Sequence, residues 1–322
     1  MDAFEQLLPS QSAAFQNILR SASLVAASDV TVLLLGESGT GKGRLAEAIH
    51  GASPRADKPL VSVNCGAIPE SLAESELFGH KRGAFTGAVD ESPGRIRAAA
   101  GGTLFLDEVA ELPLQAQAKL LRFLESGEIQ PLGEPRARRV DVRIVAATHQ
   151  DLDAAVKAGR FRADLYYRLN IVPLEIPPLR ERRSDITPLV HNLTAELARQ
   201  HGVDAPTFTS AALNRLRDYA WPGNVRELRN LCERTTILLP GCRVDADNLP
   251  LRLGPIPDAA CGNGGEAGAF RLPAEGVKLE SVEEQLIRQA MERSEGNRSR
   301  AARLLGISRH TLLYRLRKHA LA

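Results

Sequence analysis

Residues 36–42 read GESGTGK and follow the apolar run TVLLL. A glycine-rich loop between a strand and a helix aims consecutive backbone N–H groups and a helix N-terminus at phosphate oxygens. Gly36, Glu37, Ser38, Gly39, Thr40 and Gly41 therefore form a candidate phosphate cradle, and Lys42 would place its ammonium on the β- and γ-phosphates. The alternative is an ordinary tight turn, which the strand before the loop and the helix after it disfavour. Gly43 stands where Ser or Thr would meet Mg2+, and Thr40 lies on the other side of the loop. A metal here must lean on other residues or on water.

Those other residues occur in GGTLFLDEVAEL. Asp107 and Glu108 end a buried-type run, so both carboxylates should emerge at the C-terminal edge of a sheet, where open α/β sheets bind ligands. Asp107 is the candidate Mg2+ ligand and Glu108 the base that polarises water; a helix-capping pair is the alternative. The run VRIVAATHQDL ends in Thr148 and His149, which reach a γ-phosphate or its attacking water, unless Thr148 or Asp151 serves as a cap. In FRADLYYRLN, Arg162 and Arg168 are six apart and share no clean helical face. They are either surface ion-pair residues or arginines that reach a neighbouring subunit's γ-phosphate. Arg226, in WPGNVREL, stands near a helix start and pairs with an acid or touches phosphate.

HKRGAFTGAVD, residues 80–90, holds no acid, base or metal ligand in its GAFTGA core. Gly83, Ala84, Phe85, Thr86, Gly87 and Ala88 put one aromatic ring and one hydroxyl between flexible glycines, which suits contact and not bond chemistry.

The elements that must position these groups follow from periodicity. Short apolar runs at 60–63, 103–106 and 142–147 alternate with helical spacing such as Leu114, Leu121 and Leu124, arguing a three-layer α/β domain on a largely parallel sheet. After Pro177 and Pro178 the pattern turns helical, at 186–200, 210–219 and 224–238. The expected organisation is a short lead-in (1–8), an α/β subdomain (9–178), a helical lid (179–250), a Gly- and Pro-rich linker (251–277) and a small all-helical domain (278–322).

Charge balances at 41 Lys and Arg against 39 Asp and Glu, a net +2, so the whole chain is no polycation. From Asn297 to His319, however, seven Lys or Arg occur with no acid, enough to meet a phosphate backbone. Three short helices with a turn at Gly306 read as a helix-turn-helix. Its last helix would enter the major groove with Ser308, Arg309, His310 and Thr311 at base edges or nearby phosphates. Arg298, Arg300, Arg315 and Arg317 would serve phosphate or surface; a basic hairpin used only for dimerisation is the alternative. No apolar run of 18 residues and no signal peptide occurs, which points to the cytoplasm and against membrane insertion. The four cysteines lack metal spacing and read as reduced thiols.

GESGTGKG, ESELFGHKRGAFTGA, GGTLFLDE, FRADLYYRLN, LRERRSDI and WPGNVREL together resemble the AAA+ ATPase domain of bacterial enhancer-binding proteins, the activators of RNA polymerase carrying sigma-54. The resemblance covers about residues 8–250, and the C-terminal segment is similar to the factor-for-inversion-stimulation type of helix-turn-helix. It implies an AAA+ P-loop NTPase with a parallel-sheet sandwich and helical lid, using ATP and Mg2+. Phe85 and Thr86 would contact sigma-54, Asn64 would couple Glu108 to loop movement, Arg162 and Arg168 would act across a subunit boundary, and Arg226 would be the lid's sensor arginine.

Partners follow from the same resemblance: sigma-54 holoenzyme, double-stranded enhancer DNA, and further copies of the chain, dimers assembling into a hexameric ring. Family members usually carry Glu at position 43, so Gly43 departs from the pattern while hydrolysis is still expected. The chain starts almost directly at the ATPase, which points to control in trans by a separate regulatory protein. Two other functions fit parts of the sequence: an ATP-driven protein remodeller outside transcription, and a DNA-binding regulator with a decayed nucleotide site.

Overall fold

The computed structural model describes residues 4, 7–84, 90–249, 287–291, 294, 297–304, 312 and 316. The chain divides into two compact units, Met1–Cys261 and Gly262–Ala322. In the first, helix α1 (Ala13–Ala26) precedes strand β1 (Val32–Leu35), the glycine loop and helix α2 (Lys42–Gly51). Next come β2 (Leu60–Asn64), β3 (Thr103–Asp107), helix α3 (Leu114–Ser126) and a short antiparallel pair, β4 (Glu128–Ile129) with β5 (Arg138–Arg139). β6 (Arg143–Thr148), helix α4 (Ala163–Leu169) and β7 (Val172–Glu175) complete the α/β part.

The five long strands pair in the order β2-β3-β6-β1-β7, every neighbour parallel. Successive side chains of a strand face opposite sides of the sheet, and the core follows that alternation. Leu104, Leu106, Ile144 and Ala146 join one apolar cluster, while Phe105, Val145 and Ala147 join the other. All six positions of β6 are buried, as a strand covered on both faces requires. The edge strands β2 and β7 mix buried and exposed positions. The expected α/β fold on a parallel sheet is the one that forms.

One polar residue inside this core has a structural explanation. Arg143, at the start of β6, is 2% exposed and donates to the carbonyls of Val25 and Ala26 at 2.9 Å each. It thereby caps the C-terminal end of α1, where unpaired carbonyls gather negative partial charge.

Helices α5 (Ile186–His201), α6 (Ser210–Asp218) and α7 (Asn224–Leu238) build the helical part around its own cluster, which includes Val190, Leu193, Leu216, Trp221 and Leu228. Trp221 is fully buried, donates its indole N–H to Leu216 O at 2.8 Å and meets the Tyr219 ring edge-on at 5.0 Å. In the second unit, Ile287, Ala290, Ala301, Ala302, Leu312 and Leu316 form a small cluster of their own, with helix α8 at Arg298–Leu304. Among the described residues no helix is long and apolar enough to cross a membrane.

The cysteine reading needs one correction. Cys65 and Cys232 are free and buried, and burial pushes both thiols up to about 12. Cys242, by contrast, is disulfide-bonded, which spacing along the sequence could not reveal.

Two stability measurements follow. Trp221→Ala should cost about 3–5 kcal/mol, as large core truncations do, read from urea unfolding. His50 is buried with Nδ1 2.9 Å from Thr103 Oγ1, and burial holds its pKa below the ordinary 6.5. The unfolded chain then takes up the proton first, so stability is full above pH 6.5 and is lost as pH falls from there through the lower folded value. His50→Gln should flatten that limb of a Tm-against-pH curve.

Candidate active site

The sheet order decides which loops meet. Because β1 lies beside β6, and β6 beside β3, the loops leaving their C-terminal ends are neighbours. They carry Gly36 to Gly41, His149 and Glu108 respectively. A cavity of about 760 Å³ opens there, lined by Ser38 to Arg44, Asp107, Glu108 and Arg226.

The glycine loop can take its shape only with glycine. Gly36, Gly39 and Gly41 have φ of 145°, 78° and 108°, and a Cβ on Gly39 would lie 2.4 Å from the carbonyl oxygen of Gly223. Values as large as 145° and 108°, and so close a backbone approach, are open to glycine and closed to a residue with a Cβ. Helix α2 starts immediately after Gly41, so its free N–H groups face the cavity. Thr40 is buried and donates its hydroxyl to Glu37 O at 2.8 Å, which commits that group to the loop itself. Gly43 lines the cavity, and a Cβ there would find only Phe105 Cε1, at 3.9 Å.

Lys42 is 6% exposed. Its Nζ donates to Gly36 O at 2.9 Å and Glu37 O at 3.3 Å, and lies 3.7 Å from Glu108 Oε1. Burial pushes its pKa down, and the Glu108 and Asp107 carboxylates oppose that push. Asp107 is shifted up, first by burial and then by the neighbouring Glu108 charge. A carboxylate raised by burial and by a neighbouring negative charge favours a cation beside it. Glu108 has φ 55°, left-handed backbone on a non-glycine residue, a strain that recurs at functional positions.

His149 meets the same carboxylate. Its backbone N–H and Nδ1 lie 3.2 and 2.6 Å from Glu108 Oε2; the carboxylate accepts, so Nδ1 carries the hydrogen. Thr148 is fully buried and accepts from the Gln150 N–H at 3.0 Å, while Asp151 caps the next helix through the Ala154 N–H at 3.0 Å. Of the pair Thr148 and His149, it is His149 that touches the site. Asn64 pairs in register with Asp107 and turns its side chain to the Gly66 N–H at 3.0 Å.

The helical part closes over the loop. Arg226 Nη1 donates to Ser38 Oγ at 2.8 Å, and the Val225 N–H donates to Gly39 O at 3.0 Å. Arg180 forms a two-pronged ion pair with Glu37 at 2.7 and 2.9 Å. Asn224, with φ 51°, reaches Glu37 at 3.0 Å and Ser38 O at 3.1 Å. None of Leu7, Leu8, Pro9, Phe15, Arg182, Asp185, Leu189 and Leu193 was named as a site residue from the sequence, yet all line the cavity. LRERRSDI carried the only signal, as charge inside an apolar context.

Arg162 and Arg168 do not line their own chain's cavity. Arg162 is exposed and pairs with Asp164 at 2.8 Å; Arg168 donates to Leu124 O at 3.0 and 3.2 Å. At the glycine-framed loop, Gly83 has φ 79° and the Ala84 N–H reaches Lys81 O at 3.1 Å. The neck is held by two His80–Ser92 backbone bonds of 3.0 Å and the Lys81–Glu91 ion pair at 2.8 Å. Phe85, Thr86, Gly87 and Ala88 lie outside the described residues. In the second unit, Arg298 and Arg300 are exposed on α8, and Ser308, Arg309, His310, Thr311, Arg315 and Arg317 lie outside the described residues.

Residues 8–175 match the sigma-54 interaction domain. The chain belongs to the family of sigma-54-dependent transcriptional regulators. Residues 180–260 of this activator match the AAA+ ATPase lid domain, and residues 278–319 match the bacterial regulatory protein, Fis family. It is 46% identical over 306 residues to the transcriptional regulatory protein ZraR of Escherichia coli strain K12, covering 95% of this chain and 67% of that one. It is 47% identical to the alginate biosynthesis transcriptional regulatory protein AlgB of Pseudomonas aeruginosa, covering 97% and 67%. The activator thus spans about two thirds of these relatives. Among solved structures, NtrX from Brucella abortus in complex with ATP is similar at 33% identity and TM-score 0.70, covering 97% of this chain and 69% of NtrX. The activator is therefore an AAA+ ATPase with a Fis-type DNA-binding domain.

Glu108→Gln keeps the shape of the side chain but removes its basicity. It should lower phosphate release about 10²–10⁴-fold, the usual worth of a positioned base. ATP binding, read by calorimetric titration, should persist.

Proposed function

We propose that the activator binds enhancer DNA through its C-terminal domain and uses ATP hydrolysis to convert closed complexes of sigma-54 RNA polymerase into open ones. The observation that carries this reading is the convergence of Lys42, Glu108 and Arg226 on one cavity, with His149 held against the Glu108 carboxylate, in a domain that also holds the GAFTGA neck in place. Lys42 and the N–H groups of residues 36–41 bind the phosphates, Glu108 polarises the attacking water, and Arg226 reports the nucleotide to the lid. Asn64 passes the state of Glu108 outward, and Phe85 and Thr86 contact sigma-54.

Mg2+ fits the carboxylates present: Asp107, raised by burial and by Glu108, would hold it. The ion would neutralise charge developing on the phosphates. Among the described residues no group of three His, Cys, Asp or Glu could cage a metal, so phosphate oxygens and water complete its shell, and Gly43 leaves space for that water. Arg162 and Arg168, turned away from their own cavity, serve a neighbour's nucleotide in a ring, with six copies as the expected number. Arg298, Arg300, Ser308, Arg309, His310, Thr311, Arg315 and Arg317 hold DNA. The activator's partners, DNA and RNA polymerase, place it in the cytoplasm.

Open-complex formation on a sigma-54 promoter, with purified holoenzyme and ATP, tests the reading beside Thr86→Ala. Opening by the parent and loss in the variant are expected. Hydrolysis without opening would assign the ATPase to another protein client, and absence of both would make the nucleotide site a decayed one.

A further inference from the structure

LRERRSDI has no role in the reading above, yet it holds two buried charges three residues apart. Asp185 is 1% exposed and Arg182 is 4% exposed. Both sit where the helical part begins, and both line the nucleotide cavity.

Each charge faces a different segment. The Asp185 carboxylate accepts from Ser10 Oγ at 2.7 Å, from the Gln11 N–H at 2.6 Å and from the Ser12 N–H at 3.0 Å. Three donors satisfy both oxygens of this buried carboxylate, and all come from the chain just before α1. The residues preceding them, Leu7, Leu8 and Pro9, form an apolar wall of the cavity. Arg182 faces the opposite way: its Nη2 donates to Thr40 O, inside the glycine loop, at 2.6 Å. Its guanidinium lies 4.5 Å from the centre of the Phe15 ring, which fixes the plane of the fork.

The Asp185 N–H donates to Arg182 O at 2.9 Å, so residues 10–12, Asp185, Arg182 and Thr40 form one continuous chain of hydrogen bonds. We infer that Arg182 and Asp185 are positioning residues for nucleotide binding, tying the strap at residues 7–12 to the phosphate loop. Movement of the chain at Ser10 then reaches Thr40, and a protein that pulls on this strap loosens the grip on ATP. The inference rests on the cavity being the nucleotide site. It adds an input to that site which none of the phosphate-binding residues supplies.

The test measures ATP affinity by calorimetry at fixed Mg2+, together with kcat and KM, on the full chain. Asp185→Asn, which keeps size and removes charge, should weaken ATP binding about tenfold, the scale of a lost charge-assisted hydrogen bond. It should leave kcat within about twofold, since a binding contact and not a transition-state contact is removed. Ser10→Ala should shift affinity in the same direction by about two- to threefold. Arg182→Lys should retain more affinity than Arg182→Ala, because a cation can still reach Thr40 O. If Asp185→Asn folds and binds ATP like the parent, whether or not it melts lower, the clasp does not act on the nucleotide and the inference is overturned. Should Asp185→Asn fail to fold, Ser10→Ala and the two Arg182 variants decide in the same terms. Lys42→Ala binding ATP like the parent would instead overturn the location of the nucleotide site, and the inference with it.

Discussion

The adjacency of β1, β6 and β3 is the constraint from which the site follows. Parallel strands deliver their C-terminal ends to one edge, and this order places the glycine loop, His149 and the Asp107–Glu108 pair side by side at that edge. Two apolar clusters, one on each face, hold the order in place. A swap of any of these three strands would keep every local element intact and still scatter the groups that meet around Lys42. The chemistry of the cavity is thus secured by packing some distance away from it.

Burial then sets the electrostatics. Lys42 loses water and is offset by Glu108 and Asp107, while burial and then the Glu108 charge raise Asp107. Glu108 is held from two sides, by Lys42 at one oxygen and His149 at the other. An orientation fixed at both oxygens leaves the base little freedom, and positioning of this kind is where an ATPase obtains most of its rate.

Much of this was legible from residue order, because each strand is an apolar run and the glycine loop, the Asp107–Glu108 pair and His149 each follow one directly. GESGTGK after TVLLL, and DE after GGTLFL, needed no tertiary information. The lid contacts were not legible. Asn224 reaches Glu37, and Asp185 reaches Ser10, across most of the domain's length. Nothing local distinguishes a buried arginine such as Arg143 or Arg182 from the solvated arginines around it, since burial depends on what packs above. The role of Thr148 was also hidden: two polar residues end β6, and only the strand's facing direction sends one inward and the other to Glu108. The Cys242 disulfide is of the same kind, a pairing that spacing cannot encode.

Gly39 belongs to two structures at once. Its positive φ shapes the phosphate loop, and the absence of a side chain lets Gly223 O approach while Gly39 O accepts from Val225. A substitution there would damage the loop and lift the lid in one step. The consequence is genetic: a compensating change in the lid could repair only half of the damage. Suppressors of a Gly39 mutation should therefore be far rarer than suppressors of changes in either partner surface alone.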